Sequence, residues 1–161
     1  VDGLLREKIV GVASGPAEFG PRALGNRSLL ADPRGTDIKD KVNEIKRRQK
    51  FRPFAPVILE EHVSDYFDMP RGWRNSRYMQ TVAHCRHPGT FPAVVHVDGS
   101  SRVQTVPADG SGIRQLLESW YDRTGCPMLL NTSLNIRGEP MVNDREDANR
   151  FQTLYGVMVV S

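Results

Sequence analysis

Between Lys46 and Pro56 the sequence reads KRRQKFRPFAP, and Lys46, Arg47, Arg48, Lys50 and Arg52 are cations. Arginine offers a rigid fork of donors matched to phosphate or carboxylate, and lysine a mobile point charge. A polyanion suits such a cluster. The same charges also suit a plain helix end, where cations favour the C-terminal dipole and stay solvated. Lys46 and Arg52 fall on either side of a switch from a helix-like segment to the apolar run Pro53 to Leu59. That separation lets both side chains point at one pocket.

Three further polar clusters sit in loops beside expected strands, where binding groups are held by a rigid scaffold. EFGPRALGNRS, Glu18 to Ser28, has glycines that admit an anion close to the backbone, with Arg22 and Arg27 to complete a site. It is not a Walker A loop, because no Gly-Lys-Ser/Thr follows the glycines. HVDGSSRVQT, His96 to Thr105, sets Arg102 among hydroxyls. LLNTSLNIRGEP, Leu129 to Pro140, places Asn131, Thr132, Ser133 and Asn135 directly after an apolar strand. Open α/β sheets carry ligand groups there, and amides and hydroxyls can donate to phosphate oxygens or a ribose. Each cluster also has a plain reading as a turn with solvated arginines or local side-chain bonds. The run His84-Cys85-Arg86-His87 has metal-ligand chemistry, but no second cluster supplies a fourth ligand, so no metal site is assigned. His62 reads as helix surface, and Trp73 and Tyr78 as packing residues.

Local patterning supplies the elements that must position these groups. Ile9 to Ala13, Pro53 to Glu60, Tyr78 to Ala83, Ala93 to Val97, Pro127 to Asn131 and Tyr155 to Val160 read as strands. Leu4 to Glu7 reads as a helix end and Glu61 to Phe67 as a short helix. Asp37 to Arg48 has a narrow apolar stripe of Ile38, Val42 and Ile45 behind an N-cap at Thr36. Gly112 to Thr124 carries a wide stripe of Ile113, Leu116, Leu117, Trp120 and Tyr121, and Gly125 stops it. Asp144 caps a last helix, Arg145 to Thr153. The glycines and prolines after Gly15 forbid a regular element at the start of Gly15 to Leu30. Met69 to Asn75 reads as a loop, and Asp98 to Thr105 as polar turn. Interspersed helices and strands predict an α+β or α/β sheet layered with helices.

Composition narrows the classes. The 161 residues fit one domain, and a net charge of +3 from 22 Lys and Arg against 19 Asp and Glu makes any anion binding local. Nucleic acid is therefore not the expected partner. Cys85 and Cys126 form no CxxC, and such a pair suits a reducing, cytoplasmic setting. No apolar run reaches the length of a membrane span. The start, VDGLLREKIVGVASG, reads as mid-domain sequence, so a natural N-terminal part is expected to precede it.

The order GPAEFGPRALGNRSLLADPR, KRRQKFRPFAP, HVDGSSRVQTV and TGCPMLLNTSLNIRGEP resembles the C-terminal domain of bacterial O-carbamoyltransferases. The family includes nodulation-factor and antibiotic-biosynthesis enzymes, and the resemblance spans nearly all of residues 1–161. It implies a YrdC-like twisted mixed β-sheet flanked by helices. It also implies carbamoyl-adenylate formation from carbamoyl phosphate and ATP with Mg²⁺. An actin-like N-terminal domain, holding an iron-type metal, would then pass the carbamoyl group to a hydroxyl of a small molecule. Position by position, Lys46 and Arg52 match the family's phosphate-binding Lys and Arg, and Arg22 the arginine of FGPRALG. Arg102 matches the arginine after HVDG, and Ser133 and Asn135 the SxN element. Lys46, Arg52 and Ser133 are the expected catalytic residues; Arg22, Arg102 and Asn135 are expected to bind nucleotide or adenylate. Leu134 stands where Phe is usual, and VASGPAEFG differs from the commoner GWFQGRMEFG; neither removes a charged group. Two other outcomes stay open: a polyanion-binding module without chemistry, and a domain that binds but turns over nothing without its partner domain.

Overall fold

Short β-branched runs become strands here and the longer amphipathic stretches become helices, as their periodicities dictate. The computed structural model describes residues 1–73, 75–110 and 112–161. Its first half contains α1 (Asp2–Glu7), β1 (Ile9–Ala13), β2 (Arg27–Ala31), α2 (Ile38–Ile45), β3 (Ala55–Leu59), a 3₁₀ turn (Glu60–His62), α3 (Val63–Tyr66) and β4 (Phe67–Asp68). Its second half contains β5 (Thr81–Cys85), β6 (Ser100–Val106), α4 (Gly112–Thr124), β7 (Met128–Ser133), α5 (Arg145–Tyr155) and β8 (Val159–Val160). The strands form one mixed eight-stranded sheet in the order β4-β5-β6-β3-β7-β2-β1-β8. β3 and β6 run parallel, as do β1 and β8, and the other pairs are antiparallel.

Register sorts the side chains into two layers. Leu30 lies opposite Asn131, Val57 opposite Leu129, and Gln104 opposite Val57, so these residues share a face. Part of that face packs under Ile113, Leu117 and Trp120 of α4, with Leu4 of α1 alongside. Leu117 and Trp120 are fully buried. Removing each such side chain from water contributes about 1.5–3 kcal/mol. The opposite face carries Leu29, Ile58, Met128 and Leu130 against Ile38 and Val42 of α2, Phe151 of α5 and the segment around Phe91. Asp144 caps α5 by accepting from Asp147 N at 3.0 Å. Gly125 ends α4 in the left-handed region, φ 67, donating to Tyr121 O at 2.8 Å.

The sheet departs from sequence expectation in a few places. Ala93 to Val97 is not a strand. It is turn-rich, buried at Ala93, Val94 and Val95 and exposed at His96 and Val97, and it is held by Val94 N donating to Phe91 O and Phe54 N donating to Ala93 O. Asp98 to Thr105 is not all turn: Gly99, at φ 81, closes the turn and Ser100–Val106 is a strand. Ser101, Gln104 and Thr105 are buried in that strand, so polarity misled where tertiary hydrogen bonds satisfy the side chains. Arg27–Ala31, unassigned from sequence, is a strand buried at every position. α2 stops at Ile45 because Arg47 enters the left-handed region, φ 51, and Asp37 is its N-cap in place of Thr36. α5 runs on to Tyr155, leaving only Val159–Val160 as strand, and β5 starts at Thr81. The helix expected over Glu61 to Phe67 splits into the 3₁₀ turn and α3. Trp73 and Tyr78 are exposed, not packing residues. Arg74, within the expected loop Met69 to Asn75, lies outside the described residues.

Candidate active site

Antiparallel pairing brings the C-terminal end of β7 beside the N-terminal ends of β3 and β2, through Asn131 opposite Ala55 and Ser133 opposite Ser28. β6 starts at the same end because it runs parallel to β3. The loops that carry the cationic and Ser/Asn motifs therefore meet at one end of the sheet, on elements whose hydrophobic faces fix them.

Lys46 caps the C-terminal end of α2 and reaches into this junction, and it is only 5% exposed. Its ammonium donates to Ser133 O at 2.6 Å, Ser133 Oγ at 3.3 Å, Asn135 O at 2.8 Å and Asn135 Oδ1 at 3.1 Å. Ser133 Oγ donates to Asn135 Oδ1 at 2.6 Å, and Asn135 Nδ2 donates to Glu139 O at 2.8 Å. Lys46, Ser133 and Asn135, far apart in sequence, thus form one hydrogen-bonded unit. Burial, and then the charge of Arg48, push the Lys46 ammonium down to about 7.

Arg48 stacks over Phe54 at 4.1 Å and donates from Nε to Asn43 Oδ1 at 2.7 Å. Asn43 in turn donates to Lys50 O and Arg52 O, so one buried amide shapes the turn from α2 into β3. Burial, then the charges of Arg52 and Arg102, lower Arg48 to about 10. Burial, then Arg22, lower Arg102. Arg48 and Arg102 are thus each lowered by burial first and by neighbouring guanidinium charge second, a combination that a bound anion would offset.

Two cavities flank the cluster. One, about 290 Å³, is lined by Lys46, Arg48, Arg52, Ser133, Asn135 and Arg137 among others. The second, about 580 Å³, is lined by Arg48, Arg52, Phe54, Arg102, Asn131 and Thr132 among others. Arg48 and Arg52 belong to both walls, so the two hollows are neighbours across one pair of guanidinium groups. Lys46, Arg52, Arg102, Ser133 and Asn135 are thereby brought together. Arg22 lies beside Arg102 electrostatically but lines neither hollow; it donates to Pro21 O at 2.7 Å.

The loop of Arg22 is held from inside. Glu18 accepts from Leu24 N at 2.9 Å, Asn26 N at 3.2 Å and Arg27 N at 2.9 Å. From below, Asn131 Nδ2 donates to Ala23 O at 3.0 Å and to Gln104 Oε1 at 2.7 Å, and Gln104 Nε2 donates to Leu24 O at 3.2 Å. Arg27, expected to help bind an anion, is buried and donates instead to the carbonyls of Ser14, Gly15, Asn26 and Asn143. The amide nitrogen of Asn131, expected to face a ligand, is likewise engaged within the protein. Sequence reading passed over Arg48 as a site residue, and it missed Glu18 and Gln104. Arg48 stood in the cationic run, while Gln104 lay in a stretch that reads as polar turn and so gave no signal. Among the described residues no cluster of three or more His, Cys, Asp or Glu could hold a metal ion, and His84 and His87 gather no ligand set. No described helix is long and apolar enough to cross a membrane.

A family model described as "Carbamoyltransferase C-terminus" matches residues 1–160. The chain belongs to this carbamoyltransferase family. Nodulation protein NolO of Bradyrhizobium diazoefficiens is 42% identical over 151 residues, which cover 91% of this chain and 28% of the relative. The 3'-hydroxymethylcephem-O-carbamoyltransferase of Amycolatopsis lactamdurans is 41% identical over 141 residues, covering 87% of this chain and 26% of that one. The chain thus spans between 26% and 28% of the length of these two curated relatives. Full-length HypF, crystallised in a phosphate- and nucleotide-bound form, superposes with a TM-score of 0.67 over 96% of this chain and 19% of its own, at 18% identity. At that identity the likeness speaks for the fold, the YrdC-like mixed sheet flanked by helices.

Proposed function

We propose that this carbamoyltransferase domain makes carbamoyl-adenylate from carbamoyl phosphate and ATP, the activating half of a two-step O-carbamoyl transfer. The observation that carries the proposal is the pair of adjoining hollows sharing Arg48 and Arg52, with Lys46 at one side and Arg102 at the other. Two anionic reactants need two neighbouring compartments and a cationic wall between them, because their charges must be screened before one attacks the other.

Water first releases carbamate and inorganic phosphate from carbamoyl phosphate. A carbamate oxygen then attacks the α-phosphorus of ATP, the bond from that phosphorus to the bridging oxygen breaks, and pyrophosphate leaves. Lys46, Arg52 and Arg102 hold phosphoryl groups, Arg48 spans both compartments, and Ser133 and Asn135 bond to the adenylate or carbamoyl end. Arg22 adds charge beside Arg102. Holding the reactants in line removes up to about 7–11 kcal/mol of barrier. The residues named here lining the hollows contribute no carboxylate, so Mg²⁺ fits as a companion of the nucleotide phosphates, where it neutralises charge, and not as an ion held by the protein.

The relatives are several times longer than this chain, and in this proposal transfer to a hydroxyl of a small-molecule acceptor belongs to an N-terminal domain with its own iron-type metal, as the family resemblance implies. Two free, buried thiols suit a cytoplasmic setting. The test is ATP–pyrophosphate exchange dependent on carbamoyl phosphate. Exchange should vanish in Lys46→Ala and in Arg52→Ala; exchange surviving the double variant refutes these roles. Retention of RNA with steep salt dependence and no nucleotide titration would instead mark a polyanion-binding module.

A further inference from the structure

Exposed apolar side chains gather beside the cations. Phe51 is 73% exposed, Val82 56% and Val97 fully, and all three line the larger hollow together with Arg48, Arg52 and Arg102. An apolar residue exposed on its own is ordinary, but several around one concavity mark a binding surface.

Each is set there by the local fold. Val82 lies directly across from Arg102 in the pairing of β5 with β6, so the two are neighbours on one face. Phe51 immediately precedes Arg52 in the turn that Asn43 holds through Lys50 O and Arg52 O. Val97 enters the turn that Gly99 closes before β6. Phe54 lines the same hollow, but it is 5% exposed and carries Arg48 over its ring at 4.1 Å. Phe51 is therefore the phenyl ring that this wall leaves open.

The hollow thus has a cationic side and an apolar side, which match a ligand with an anionic tail and a flat, weakly polar head. The hollow of about 290 Å³ has no aromatic side chain in its lining and suits a compact anion. Pockets for drug-sized molecules run roughly 300–1,000 Å³, and of these two hollows only the one of about 580 Å³ falls in that range. A third hollow, about 250 Å³, shares Asn135 with the smaller one and is lined by Leu154 and Tyr155. Glu139 and Asp147 line it too, and their carboxylates repel an anionic ligand.

Resting on the ATP reading above, we infer that the larger hollow takes the nucleotide, its base and ribose against Phe51, Val82 and Val97 and its phosphates on Arg48, Arg52 and Arg102, while carbamoyl phosphate takes the smaller one. Phe51 offers its face to the base, a contact that adds affinity through the π-surface and not through charge. The apolar side thereby makes the site prefer a nucleotide to a bare polyphosphate of equal charge.

The test is calorimetric titration of the chain with ATP and with inorganic tripolyphosphate, each with Mg²⁺. Wild type should bind ATP about tenfold more tightly than tripolyphosphate. Phe51→Ala, at an exposed position that the fold should tolerate, should weaken ATP about tenfold and leave tripolyphosphate unchanged. In ATP–pyrophosphate exchange the same variant should raise KM for ATP and leave KM for carbamoyl phosphate where it was. Leu154→Ala, an exposed apolar residue on the third hollow, should change neither affinity. Equal affinity of wild type for ATP and tripolyphosphate overturns the inference, as does a loss of ATP affinity in Leu154→Ala and not in Phe51→Ala. A wild type that prefers ATP while Phe51→Ala binds it unchanged leaves the nucleotide reading standing and sinks this placement alone. Failure of wild type to bind ATP at all refutes the nucleotide reading and the placement with it.

Discussion

Lys46 offers the sharpest test of how the site uses charge. Burial and Arg48 hold its ammonium near 7, against an ordinary lysine value of 10.5. A dianion seated in the hollow lined by Lys46, Arg48 and Arg52 favours the charged form and draws that value back up. Binding must therefore take up a proton: about half of one at pH 7 and about nine-tenths at pH 8, but only about a tenth at pH 6. Affinity should accordingly fall close to tenfold per pH unit above about 7 and level off below about 6. Sulfate is a suitable probe, since its charge does not change in this range. Calorimetry in buffers of different ionisation heat gives the proton count directly. Lys46→Met should bind more weakly and take up no proton. The sign also holds without ligand. Between about 7 and 10.5 the unfolded chain binds a proton that the folded chain lacks, so stability from this group rises with pH across that window and is flat outside it. Sulfate affinity that ignores pH, or uptake that persists in Lys46→Met, refutes the reasoning.

Other perturbations test the scaffold. Glu18→Ala strands three backbone N–H groups of the arginine loop and should cost roughly 3 kcal/mol in urea unfolding, with a larger effect on nucleotide affinity than on the melting of the sheet. Gly25→Ala should cost about 2 kcal/mol or more by the same measurement, because φ is 136 and the added Cβ would stand 2.9 Å from Ile113 Cβ. Arg102→Ala should leave unfolding within about 0.5 kcal/mol of wild type, yet weaken nucleotide binding by roughly tenfold or more in a titration.

The main helix, Gly112 to Thr124, was legible to the residue because its apolar stripe and stop glycine agree. Lys46 and Arg52 do line one hollow, but what holds them there is the turn between Ile45 and Ala55, which Asn43 fixes by donating to Lys50 O and Arg52 O and which no sequence pattern announced. Ser100–Val106 was hidden because its buried Ser101, Gln104 and Thr105 look like loop polarity until their partners are known. Ser101 Oγ donates to Val94 O across a turn, and Thr105 Oγ1 accepts from Ser76 N, a separation in sequence that no local window spans. Arg27 looked like an anion ligand for the same reason. A guanidinium donating to several carbonyls and one reaching toward solvent share a residue type and differ only in tertiary setting.

The division between cations that grip the protein and cations left for a ligand follows from that setting. Lys46 and Arg27 are buried, and every donor bond they make here ends on a neutral oxygen of the protein, most of them backbone carbonyls. Such bonds fix position without neutralising charge, so the Lys46 field still points into the hollow. Arg48 is anchored through Asn43 and Phe54 and faces both compartments. Arg52 and Arg102 are exposed on the walls. Rigid cations close to the reacting atoms and freer ones at the rim suit a site that must orient one anion firmly while another enters and a third departs. A rim cation can follow a leaving pyrophosphate, whereas a buried one, locked to β7, cannot. Exchange kinetics should separate the two classes: loss of Arg102 slowing pyrophosphate entry and release, and loss of Lys46 abolishing the chemical step itself.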